Sequence, residues 1–133
     1  MKYYLDTNII IYAIKNEYPN IIKHFTKVPS SSIVIPSIVL AEIEYGAKKS
    51  KNYQKTIDIY NSFTGIFHTA NLNKQAIKEY GIIRSELEKK GSLIGSNDLL
   101  IAAIVKAEDG ILITHNVKEF SRVDGLRIED WTE

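Results

Sequence analysis

Asp6, Glu42 and Asp98 are carboxylates far apart in the chain, each placed where a fold could turn it toward the others. Crowded together, three such groups repel and raise one another's pKa unless a cation sits among them. Hard oxygen ligands without a supporting set of His or Cys select Mg2+ or Mn2+ over zinc. An ion held this way can activate water, bind a phosphoryl oxygen and stabilise the charge that builds during in-line displacement. The chemistry to look for is therefore metal-assisted attack of water at phosphorus.

Each acid also has a plainer reading. Asp6 and Asp98 both precede helical patterns, and a short carboxylate there accepts bonds from free backbone N–H groups and suits the positive end of a helix. Glu42 must be weighed against Glu44 on the same helix. Glu44 has Lys48 four residues on, the spacing of an exposed ion pair. Glu42 shares a stripe with Ile38, Ala41 and Tyr45, where a carboxylate is costly to bury without a cation or hydrogen bonds. That placement favours Glu42 as the functional acid.

The elements that must position these groups alternate short apolar runs with helical patterns, the sign of an α/β domain with a mostly parallel sheet. Lys2 to Leu5 is the first strand and leads into a helix over Thr7 to Asn16. A second helix runs from Pro19 to Lys27, and Ser32 to Ile35 is a buried strand. The Glu42 helix starts after Pro36 with Ser37 as its cap and ends near Gly46. Further helices are expected over Asn52 to Ser62, Asn73 to Lys90 and Leu99 to Ala107, with short strands at Gly65 to Thr69, Ile111 to Thr114 and Leu126 to Ile128.

In an open parallel sheet, ligands bind outside the carboxyl ends of the strands. Asp6 follows the first strand, and His115 and Asn116 follow the strand ending at Thr114. Neighbouring strand residues point to opposite faces, so an Asn116 that faces the crevice turns His115 away. Thr7, Asn8 and Thr114 are either caps or hydrogen-bond partners of the carboxylates and of metal-bound water. The local basic run Lys48, Lys49 and Lys51 could meet phosphates, as could Arg84, which interrupts the apolar stripe of its helix. Tyr12, Tyr45 and Tyr80 read as core packing rather than base stacking.

Size and composition fit one domain spanning residues 1–133: 44% of the residues are apolar, enough for one core. The 17 basic and 16 acidic side chains leave a net charge of +1, so any nucleic-acid footprint must be local. There is no cysteine, which removes disulfides and thiolate metal ligands and fits a reducing compartment. No leader-like apolar run opens the sequence, and no segment approaches the roughly 20 apolar residues of a membrane span. A cytoplasmic protein is the simplest expectation.

Four ordered blocks carry a family resemblance. Leu5-Asp6-Thr7-Asn8-Ile9-Ile10-Ile11-Tyr12 resembles the opening motif of the PIN-domain nucleases, particularly the VapC-type toxins of type II toxin–antitoxin pairs. Ser37 to Gly46 is similar to the second block with Glu42 on its acid, Ile94 to Ala102 to the third with Asp98 on its acid, and Thr114 to Phe120 to the fourth. Gly125 to Trp131 is similar to toxin C-termini. The resemblance spans essentially the whole chain.

It implies a PIN-like three-layer α/β/α fold with a four- or five-stranded, mostly parallel sheet. It also implies Mg2+-dependent endoribonuclease activity that leaves a 5′-phosphate and a 3′-hydroxyl, with Mn2+ as a substitute. Asp6 and Asp98 become the direct metal ligands, and Glu42 a ligand, a water-mediated ligand or a base. The resemblance further implies a homodimer and an antitoxin protein that binds near the acids, forming a hetero-oligomer. Asn116 stands where many family members carry a fourth acid. Its neutral oxygen can bind a metal or its water without adding charge, and Glu119, one helical turn further, can compensate.

Two other classes compete. A phosphatase of the haloacid-dehalogenase type also places Asp after its first strand, but needs a second acid two residues on, where this chain has Asn8. A non-catalytic PIN module would bind RNA or a protein without cutting, a reading kept open by Asn116.

Overall fold

The computed structural model describes residues 1–133. Five short strands form one wholly parallel sheet: β1 (Tyr3–Leu5), β2 (Ile33–Pro36), β3 (His68–Ala70), β4 (Ile111–Ile113) and β5 (Arg127–Glu129). Their spatial order is β3-β2-β1-β4-β5. The chain thus walks outward from β1 to β3, then returns across the sheet to β4 beside β1. Every residue of β2 is buried, as expected of a strand covered on both faces.

The connections are helical. Helices α1 (Thr7–Lys15) and α2 (Pro19–Lys27) link β1 to β2, and α3 (Ser37–Lys49) and α4 (Tyr53–Thr64) link β2 to β3. Helices α5 (Lys74–Lys89) and α6 (Ser96–Ala107) make the return crossover, and the short α7 (Val117–Phe120) precedes β5. Right-handed crossovers put the helices of the outward walk on one face and those of the return on the other, the three-layer α/β/α arrangement. One apolar cluster of 28 buried residues joins the layers, from Leu5 and Ile9 to Phe120 and Trp131. No helix is long and apolar enough to cross a membrane.

Several element boundaries follow from local chemistry. Pro19 takes the first position of α2, where its missing N–H costs nothing. Asn52 and Asn73 cap α4 and α5 by accepting from the N–H groups of Lys55 and Ala76. Gly91 stops α5 with φ +66, the left-handed conformation that glycine adopts without penalty. Gly46, however, does not end α3. The helix runs three residues further because no left-handed turn is imposed there, so Lys48 and Lys49 belong to its last turn. Ser37 is likewise not a side-chain cap, since Pro36 occupies the N-cap position and no side chain bonds there.

Candidate active site

The turn from β1 into α1 fixes Asp6. Its extended backbone makes it the N-cap of α1, and its side chain accepts from the Thr7 N–H at 2.9 Å through Oδ1. Its other oxygen, Oδ2, accepts from the Thr114 hydroxyl at 2.7 Å. Thr114 follows β4, the strand beside β1, and is fully buried. The same Thr114 Oγ1 accepts from the Asn116 N–H at 3.0 Å. One hydroxyl therefore ties the carboxylate after β1 to the loop after β4. Burial pushes the Asp6 pKa upward, against the opposing pull of the Thr114 and Thr7 hydrogen bonds, and the nearby Glu42 charge adds to the rise.

Glu42 reaches the same region from the middle of α3. Its Oε1 accepts from the Thr7 hydroxyl at 2.6 Å, and its Oε2 from the Asn97 amide at 3.4 Å. Glu44 is exposed and turns outward, accepting from the Tyr53 hydroxyl at 2.6 Å rather than pairing with Lys48. Lys48 instead lies over the Tyr53 ring, 3.9 Å from its centroid.

Asp98 is the third residue of α6, not its cap. The N-cap is Gly95, whose missing side chain cannot bond, and the helix starts at Ser96, earlier than the apolar pattern from Leu99 suggests. The Asp98 carboxylate receives no hydrogen bond within the chain and borders an open polar cleft with Glu42, Gly95, Ser96 and Asn97. Its pKa is pushed up to about 6, chiefly by burial and then by the charges of Asp6, Glu119 and Glu42. Three acids, from the β1–α1 junction, α3 and α6, thus share one region, and Glu119 of α7 stands near enough for its charge to act on Asp98.

The donor set suits a small hard cation. It is all oxygen, it carries excess negative charge, and Asp98 lacks any donor to stabilise its ionised form. No three His, Asp or Glu side chains stand close enough to enclose an ion by themselves. Mg2+ is compatible with that spacing, because it is usually held by one or two carboxylates and keeps several waters.

Of the other residues singled out from the sequence, Thr7 and Thr114 hydrogen-bond the acids directly, whereas Asn8 is exposed and its side chain bonds to neither. His115 is turned away, its Nδ1 2.9 Å from Asp130 Oδ2. Arg84 is exposed on α5, paired with Glu88 at 3.1 Å and donating to the Tyr80 hydroxyl at 2.7 Å. Lys49 and Lys51 are exposed at the end of α3 and in the turn beyond it. The residue that sequence reasoning passed over is Asn97. It is the second residue of α6, in sequence an unremarkable polar neighbour of Asp98, yet its amide meets Glu42.

The PIN domain family model matches residues 3–126. The chain is 41% identical to Ribonuclease VapC2 of Rickettsia felis, with 98% of both chains covered. It is 36% identical to the tRNA(fMet)-specific endonuclease VapC of Salmonella typhimurium, again over 98% of each. Among solved structures it superimposes on VapBC-1 from nontypeable Haemophilus influenzae with a TM-score of 0.92 at 40% identity, covering 100% of both chains. The VapBC2 structure from Rickettsia felis bound to a DNA fragment from its promoter matches with a TM-score of 0.90 at 38% identity, over 98% of this chain and 99% of that one. With a three-layer fold and acids gathered at the carboxyl ends of a parallel sheet, the chain belongs to the PIN domain family and, within it, to the VapC ribonucleases.

Proposed function

We propose that this protein is a Mg2+-dependent endoribonuclease that acts in the cytoplasm as the toxin of a VapBC-type pair, neutralised by its antitoxin protein. The observation that carries the reading is that Glu42 and Asp98 border one cleft and Asp6 stands near enough for its charge to act on Asp98, with Asn116 tied to Asp6 through Thr114. Asp6 and Asp98 supply the metal-binding oxygens. When bound, Mg2+, or Mn2+ in its place, polarises a phosphoryl oxygen and makes water a better nucleophile at neutral pH. The Thr7 hydroxyl holds one oxygen of Glu42 and the Asn97 amide reaches the other at 3.4 Å, which orients the carboxylate to align the attacking water and take its proton. Thr7 N–H and the Thr114 hydroxyl hold Asp6 in the orientation that ligation needs.

Asn116 adds an oxygen without charge and Glu119 adds charge at a distance, a combination that suits one firmly bound ion. Lys48, Lys49 and Lys51 would contact phosphates beside the cleft, and hydrolysis would leave a 5′-phosphate and a 3′-hydroxyl. Transfer RNA is the first substrate to test, because the Salmonella relative is named for it. The working assembly is a toxin homodimer joined by antitoxin chains.

The test incubates the protein with structured RNA and Mg2+ or Mn2+ and maps new 5′ ends. Cleavage should appear, stop in EDTA, and fall by at least about 100-fold in Asp98→Asn while the circular dichroism spectrum stays unchanged. If Asp98→Asn cuts as fast as the parent, the site assignment fails. RNA retained without new ends would mark a binding module, and phosphate release from small monoesters would mark a phosphatase.

A further inference from the structure

Helix α3 has two apolar stripes. Val39, Ile43 and Ala47 are buried, while Ala41 and Tyr45 are exposed and Ile38 and Glu42 are partly so, with Ile38 packed against the core edge. With Thr7 and Asn97, the latter four residues line a groove of about 530 Å³, within the usual range for a small-ligand site. The groove shares Glu42 and Asn97 with the acid cleft, so the two are continuous. Tyr45 is 66% exposed, and its hydroxyl makes no hydrogen bond within the chain. It lies one turn beyond Glu42 on the same face, and the Lys49 ammonium, one turn further, sits 5.0 Å from its ring centroid.

We infer that this stripe is a nucleotide subsite beside the scissile bond, where one base of a single-stranded RNA segment stacks on Tyr45 and the adjoining phosphate meets Lys49. The inference rests on the ribonuclease reading and extends it to how substrate is held. Stacking on an exposed ring tolerates any base, because every base offers a π-face. The cation adjacent to the ring gives that face the charge a polynucleotide needs, at the end of the stripe away from the acids. A protein partner covering Tyr45 would also close the mouth of the acid cleft through the shared Glu42 and Asn97. Lys48 is not part of the subsite, because its ammonium lies over the Tyr53 ring of α4 instead.

The experiment measures binding of a fluorescein-labelled, single-stranded oligoribonucleotide of mixed sequence by anisotropy, in EDTA so that nothing is cut. Tyr45→Ala should weaken binding by about 5- to 150-fold, the range expected for losing one stacked base. Tyr45→Trp should restore it, with indole emission quenched by the RNA. Lys49→Ala should lower the slope of log affinity against log salt by about 0.7, one single-strand phosphate contact. Unchanged affinity in Tyr45→Ala overturns the inference, as does a shift in oligomeric state by sedimentation in its place. If the parent cuts RNA but Tyr45→Ala binds equally well, only the subsite fails. If RNA binds through Tyr45 but no divalent ion ever yields new ends, the ribonuclease reading fails and the subsite stands.

Discussion

Asp6 and Asp98 look alike in the sequence, each a carboxylate entering a helix, but the two junctions treat them oppositely. At the β1–α1 junction both oxygens of Asp6 are occupied by protein donors and the residue is 6% exposed. At the start of α6 the Asp98 carboxylate has no donor, is only half-buried, and is pushed up to about 6 by burial and by its acidic neighbours. One acid is built into the scaffold; the other is left with its charge uncompensated. Two carboxylates at helix starts therefore differ in which donors reach them, more than in where they stand in the helix.

That contrast can be broken first at Thr114. Thr114→Val keeps the shape but strips the donor from a buried carboxylate and the acceptor from the Asn116 N–H. We expect a loss of about 2–4 kcal/mol in urea unfolding, since hydrogen bonds to charged groups are the costly ones to remove. A smaller loss, about 1–3 kcal/mol, is expected for Asp6→Ala, which leaves the Thr114 hydroxyl and Thr7 N–H without their partner. Should Thr114→Val leave stability untouched, the scaffold role of Asp6 is wrong.

Asp98→Asn should act in the opposite sense and more weakly. A carboxyl with a folded-state pKa raised from 3.8 to about 6 keeps its proton in the native state to higher pH than in the unfolded chain. Its charge therefore lowers stability progressively as pH rises from about 4 to 6, and the full penalty remains above that window. In EDTA at pH 7, Asp98→Asn should gain about 1 kcal/mol after allowance for solvent screening of a half-exposed group. This is a rise of roughly 2–4 °C in melting temperature. Melts of the parent between pH 4 and 8 should fall through this window, and millimolar Mg2+ should flatten the fall by favouring the ionised form. A parent curve as flat in EDTA as that of Asp98→Asn would remove the electrostatic account of this acid.

Much of the architecture was legible in the residues. The limits of α2, the parallel sheet and the place of Asp6 after β1 follow from proline, periodicity and strand-end logic. The orientation of α3 was not legible, because apolar residues occur on more than one side of it. The stripe of Ile38, Ala41 and Tyr45 and the stripe of Val39, Ile43 and Ala47 have the same period, and only packing against the sheet decides which is buried. The sequence argument for Glu42 over Glu44 puts it on a core stripe, whereas that stripe lines an open groove. Glu42 borders the acid cleft, and Glu44 turns away to the Tyr53 hydroxyl. Helix α7 spans four residues, too few for any period to register. Asn97 escaped notice because its role depends on a residue 55 positions away.

The bond between Thr114 and Asp6 joins residues 108 positions apart. During vectorial synthesis Asp6 leaves the ribosome early, yet its partner emerges only after the helices of the return crossover have been made. A site whose orientation depends on so distant a hydroxyl cannot be preassembled on a nascent chain, because the non-local contact has to wait for loop closure. Synthesis order thereby delays the Asp6–Thr114 contact until most of the polypeptide is outside the ribosome, a built-in lag for a nuclease made amid the cell's RNA.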